Sequence, residues 1–93
     1  MIASSSVLRA RTDVRYRVVD HKAIVIRQQE GEVVVLNEVG ARVLDLLQAG
    51  TPVQGVLDVM AAEFEVGRAE LEKDVLAFVR QLLDGGILEE VAG

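Results

Sequence analysis

Hydrophobic and polar positions change period once along this chain, at Asn37. Before it, Val14–Asp20, Ala23–Gln28 and Glu32–Leu36 are short stretches rich in Val and Ile, a composition suited to pleated strands. Asp20-His21-Lys22 is the predicted turn between the first two, and Gln28-Gln29-Glu30-Gly31 has the length and the glycine of a second hairpin loop. Ala23-Ile24-Val25-Ile26 is continuously apolar, as expected of a strand covered on both faces or central in a small sheet. The first third is therefore predicted to be an antiparallel meander. An arm over residues 1–13, docking through Val7 and Leu8, precedes it.

After Asn37 the apolar residues recur at helical spacing. Asn37 is a good N-cap, Glu38 complements the positive end of a helix, and Val39, Val43, Leu46 and Leu47 follow. This first helix is predicted to run to about Gln48 and stop at Gly50. Thr51-Pro52-Val53-Gln54 predicts the next helix start, with Thr51 as N-cap and Pro52 in the first helical position. Val53, Val56, Leu57, Met60, Ala61 and Phe64 share one of its faces. A third helix is predicted over Arg68–Asp84, capped by Gly67 and stopped by Gly85-Gly86. Ile87-Leu88 are expected to pack back onto the core, ahead of an acidic tail, Glu89-Glu90.

On the third helix, Leu71, Val75, Leu76, Phe78, Val79, Leu82 and Leu83 cover an arc of roughly 160° at about 100° per residue. A core-facing stripe commonly needs only somewhat more than about 100°. Two readings stay open: the helix meets two neighbouring elements, or part of the arc lines a groove beside the core.

Composition narrows the function classes. With 93 residues, 51% of them hydrophobic and 3% aromatic, the chain is expected to form one domain with an aliphatic core. The absence of Cys excludes disulfides and thiolate chemistry. Met1–Ser6 lacks a charged n-region and a long apolar run, and no stretch is long enough to span a bilayer, so a cytoplasmic protein without a membrane partner is expected. His21 is the only histidine and stands in a predicted turn with no clustered carboxylates, so neither a metal nor a cofactor is expected. Ser4–Ser6 have no base nearby, and the glycines do not form a phosphate-cradling loop. The residues point to a binding module rather than an enzyme.

Charge is unevenly spread. Residues 1–36 carry six Lys/Arg against four Asp/Glu, whereas residues 37–93 carry four against eleven. A sheet with three helices, the second opened by Thr-Pro, predicts an α+β, winged helix-turn-helix-like fold: a three-stranded antiparallel sheet packed on three helices. Such folds often place the third helix in a DNA groove. Here its outward side shows Glu70, Asp74, Gln81 and Asp84 against Lys73 and Arg80, which opposes duplex binding.

Three segments together carry a family resemblance: Leu36-Asn37-Glu38-Val39-Gly40-Ala41-Arg42-Val43-Leu44, Gly50-Thr51-Pro52-Val53 and Asp74-Val75-Leu76-Ala77-Phe78-Val79. In order and spacing they resemble the PqqD-like family, also called RiPP recognition elements, over about residues 14–90; residues 14–93 are taken as the domain. The resemblance implies a domain without catalytic activity or cofactor. Such a domain binds the leader segment of a ribosomally made precursor peptide and presents it to a modifying enzyme, such as a radical-SAM enzyme or a leader peptidase. The leader adds as a strand along the third strand and lies against the third helix, a case of β-augmentation. Carried onto this chain, the edge is Glu32, Val33, Val34, Val35 and Leu36, and the facing helix residues are Asp74, Val75, Phe78, Val79 and Leu82. The chain departs from lasso-peptide members in carrying Val33, Val34 and Val35 where aromatics often stand. Its Gln28–Gly31 loop also lacks the proline associated with the pyrroloquinoline quinone pathway. The alternatives are a small winged-helix DNA-binding regulator and a structural dimerisation module. For the leader-binding reading, a monomer or weak homodimer is expected.

Overall fold

Asn37 is where sheet gives way to helix in the computed structural model, which describes residues 6–91. Residues 1–5, including Ser4 and Ser5, and residues 92–93 lie outside the described residues. The elements run β1 (Leu8–Ala10), β2 (Val14–Val19), β3 (Lys22–Arg27), β4 (Glu32–Leu36), α1 (Glu38–Gln48), α2 (Val53–Glu63), α3 (Arg68–Asp84) and β5 (Leu88–Glu90). β2, β3 and β4 form the expected antiparallel meander, in that order. With the three helices they make an α+β, winged-helix-like fold.

The turn between β2 and β3 is tighter than the sequence implies. Val19 pairs with Lys22, so only Asp20 and His21 form the loop, and both have positive φ, 50° and 65°. This is the backbone of a two-residue primed turn, which matches the right-handed strand twist. Asp and His are among the few non-glycine residues that enter this region with some ease.

Part of the expected arm is a strand. Leu8–Ala10 form β1, which pairs antiparallel with β5 in a separate two-stranded sheet. Arg9 Nε donates to Glu89 Oε2 at 2.9 Å across it. Leu8 is fully buried, as its docking role requires, and Glu89-Glu90 belong to a strand rather than a tail. The second helix also starts one residue later than expected. Pro52 is its N-cap, without a side-chain cap bond, and the helix begins at Val53. Pro52 cannot donate an N–H, but its carbonyl accepts from Val56 N–H at 3.0 Å and closes the first turn. Thr51 instead lies beside Gly55, where a Cβ would meet its methyl at 2.8 Å.

One aliphatic core joins both sheets to all three helices. Leu8, Val25, Leu44, Leu47, Met60, Val79 and Leu88 are among its most buried side chains. α1 and α2 are clamped outside it by Arg42, whose Nε and Nη2 donate to the Glu63 carboxylate at 2.7–3.2 Å. That fork holds the Glu63 carboxyl below its usual range and raises the Arg42 guanidinium further. Tyr16, half-buried on the inner face of β2, donates its hydroxyl to Asp45 Oδ1 of α1 at 3.0 Å. Burial, and then the Asp45 carboxylate, push the Tyr16 phenol up to about 12. Sheet and helix are thus tied by a polar contact at the rim of the core.

Candidate functional site

The two outer strands of the β2–β3–β4 sheet are treated differently. β2 carries Arg15 and Arg17 at alternate exposed positions, the kind of charge that keeps an edge from pairing with another chain. β4 carries Val33 and Val35, 60% and 63% exposed, with Val34 half-buried between them and Leu36 buried. Among the described residues β4 bonds only to β3, so its other side is an open edge, and the strand carries no Lys, Arg or Pro. In an antiparallel ladder, successive residues direct their N–H and C=O alternately to one neighbour and then to the other side. Some backbone donors and acceptors of Glu32–Leu36 therefore face outward.

The end of this edge leads into a cleft. Asn37 caps α1 through its side chain, with Gly40 N–H donating to Asn37 Oδ1 at 2.9 Å. The cap fixes the direction in which α1 leaves β4. Gly40 then lies where Leu36 and Phe78 converge: a Cβ on it would stand 3.2 Å from Leu36 Cβ and 3.0 Å from Phe78 Cζ. Beyond this point a cleft of about 330 Å³ opens between the start of α1, the first half of α3 and the α2–α3 connection. Asn37, Val39, Val43, Phe64, Val66, Leu71 and Val75 contribute to its walls, and among the described residues Asp74 is the one charged side chain lining it. Val39 and Val66 are 40% and 42% exposed, so the mouth is apolar as well as the floor.

The expected site residues separate into three groups. Glu32 to Leu36 form the edge strand. Asp74, Val75 and Phe78 line the cleft. Val79 and Leu82, at 1% and 5% exposure, belong to the core and do not line it. The wide apolar arc of α3 resolves accordingly: Leu71, Val75, Val79 and Leu82 are its buried stripe, and half-buried Phe78 forms a cleft-side margin. Val39, Val43, Met60, Phe64, Val66 and Leu71 of the lining were not anticipated as site residues. Their one sequence signal was Val66, which stands between the predicted second helix and Gly67 with no helical face to join.

Among the described residues no group of His, Cys, Asp and Glu is arranged to hold a metal ion. No helix among them is long and apolar enough to cross a membrane.

Fold and surface together define a class: a small winged-helix-like domain whose open strand edge continues into an apolar cleft. Residues 22–88 match the family model described as "Coenzyme PQQ synthesis protein D (PqqD)", and the chain belongs to that family. A "PqqA binding protein" from Rhodopseudomonas palustris (strain ATCC BAA-98 / CGA009) is 33% identical over 54 residues, 58% of this chain and 53% of that protein. The one from strain TIE-1 is 32% identical over the same share of each. The chain thus spans about half the length of the curated relatives it matches. Among solved structures, "TbiB1 in Complex with the TbiA(beta) Leader Peptide" superimposes with a TM-score of 0.84 at 28% identity, covering 91% of this chain and 99% of that one. "Lasso peptide synthetase B1 complexed with the leader peptide" gives 0.82 at 25% identity, covering 89% and 98%.

Proposed function

We propose that this chain captures the leader segment of a ribosomally synthesised precursor peptide by strand addition to β4 and presents it to a separate modifying enzyme. The contrast between the two sheet edges carries this reading. β2 is guarded by arginines, whereas β4 displays three consecutive valines on an unpaired edge. A peptide laid along Glu32–Leu36 gains main-chain hydrogen bonds from that edge and places alternate side chains on either face of the extended sheet. Past Leu36 its apolar side chains reach the cleft between α1 and α3. Asp74 at the cleft offers a carboxylate to a peptide donor, whether a backbone N–H, a hydroxyl or a cation. The similarity to a PqqA binding protein and to two chains solved with leader peptides supports the same reading. The role is capture and presentation, with the bond-making chemistry supplied by a partner such as a radical-SAM enzyme or a leader peptidase.

The test is a titration of isotope-labelled protein with candidate precursor leader peptides, followed by amide shifts. Shifts concentrated on Glu32–Leu36 and around Asp74 and Phe78 are expected. Val34→Pro and Val35→Pro sharpen the test, because one of these two residues directs its N–H outward and the other toward β3. Loss of affinity is expected in the variant whose outward donor is removed while the fold persists. Unchanged affinity in both folded variants would sink the strand-addition model. A response to duplex DNA instead of leader would assign the chain to regulation.

A further inference from the structure

The face of the β2–β3–β4 sheet turned away from the helices has an unusual composition. Its cross-strand rows are Arg15–Ile26–Val33 and Arg17–Ile24–Val35, closed at the turn by the pair Val19–Lys22. Five of these eight positions are aliphatic, three are cationic and none is acidic, in a chain whose formal net charge is −5. Ile26, Val33 and Val35 are 41–63% exposed. A shallow depression of about 260 Å³ lies between the arginines and isoleucines, lined by Arg15, Tyr16, Arg17, Ile24 and Ile26. Edge protection accounts for arginines on β2. It does not account for exposed isoleucine and valine on the two neighbouring strands, where a solvated sheet face would alternate to polar residues.

We propose that this outer sheet face is the docking surface for the partner enzyme, and that it receives an apolar side chain in the depression and carboxylates against Arg15 and Arg17. The inference rests on the leader-binding reading for the identity of the partner. Two observations fix the partner's chemistry. The rim is cationic; Arg15 Nη1 donates to the Thr12 and Val14 carbonyl oxygens at 2.8 and 3.1 Å, and among the described residues no carboxylate pairs with Arg15 or Arg17, so the complementary surface is acidic at that margin. Arginine stems beside aliphatic side chains around a small socket are the composition of a binding anchor rather than of a solvated face. Position adds a third argument. A peptide strand added to β4 continues the same sheet, so its outward side chains lie beside Val33 and Val35. An enzyme seated on this face meets the captured peptide directly, without displacing it from the cleft on the opposite side.

The experiment uses the full chain, the leader peptide that it binds and a candidate modifying enzyme that acts on that precursor. Two variants are compared with the wild type: Ile26→Glu, and Arg15→Glu combined with Arg17→Glu. Leader affinity is read by fluorescence anisotropy and enzyme association by calorimetry at low and high salt. Leader affinity within twofold of wild type, with enzyme association weakened at least tenfold in both variants, is the expected result. The wild-type association should also weaken with salt, and the double variant should lose that dependence. Wild-type enzyme association in either variant, or parallel loss of leader and enzyme binding, overturns the proposal. So does self-association through this face that Ile26→Glu abolishes, or binding to duplex DNA in place of the enzyme. If the leader fails to bind the wild type, the strand-addition reading fails, while the enzyme arm still decides the docking face.

Discussion

Gly40 of α1 and Phe78 of α3 meet so closely that a methyl group on Gly40 would lie 3.0 Å from Phe78 Cζ. This approach joins the start of the helical half to the wall of the cleft. The glycine is required by contact, since it lies inside a regular helix. Gly40→Ala sets two effects against each other. Helix propensity favours alanine by about 1 kcal/mol, and overpacking costs about 1–3 kcal/mol. Urea denaturation should therefore find Gly40→Ala unchanged to about 2 kcal/mol less stable than wild type, and Gly40→Val less stable than Gly40→Ala. Either side chain displaces the Phe78 ring, so leader affinity should fall several-fold in both.

Phe78 and Leu82 are one turn apart on α3 and are expected to separate binding from stability. Phe78→Ala removes a half-buried ring from the cleft and should cost about 2 kcal/mol, below the usual loss for a fully buried Phe. Leader affinity should drop at least tenfold. Leu82→Ala removes a core side chain at 5% exposure and should cost about 2–4 kcal/mol, with the remaining folded protein binding leader as before. Equal affinity losses in the two variants would place Leu82 in the site after all.

The Asp20-His21 turn stores removable strain, because both residues sit at positive φ. Replacing them by Asn-Gly, the pair best suited to this backbone, should stabilise the protein by about 0.5–1 kcal/mol. Thermal unfolding should report a higher Tm, and leader affinity should not change.

Tyr16 should make stability fall in alkali. Its phenol, normally near 10, is raised to about 12 in the folded protein, so between these values the folded state holds a proton that the unfolded state has lost. The stabilisation is fully present below pH 10 and disappears as pH rises through the folded value. Tyr16→Phe cannot ionise. The stability difference between wild type and Tyr16→Phe should accordingly shift against the wild type from pH 10 to pH 12, as read by denaturation at each pH.

Much of this architecture is legible residue by residue. Asn37 as a cap, Gly67 and Gly85 at the ends of α3, and the three-strand meander all depend on neighbours within a few positions, which is why local pattern finds them. β1 and β5 were not legible as strands. Each is three residues long, and Leu8 pairs with Glu90 from the opposite end of the chain, so neither segment carries enough local signal to declare itself. The α2 start differed for a related reason. Thr51 looks like a cap in isolation, but Thr51 packs against Gly55 and the capping position falls to Pro52.

The sequence by itself determined β2, β3, β4 and the three helices, because strand composition and helical periodicity are short-range properties. Only the tertiary structure decided which part of the α3 arc is core and which is cleft, and that Phe64 and Val66 join Phe78 around one opening. Those residues come from two separate segments, the α2–α3 connection and α3, and whether they enclose space or fill it depends on ångström-scale packing between helices. No periodicity along one chain encodes that distance.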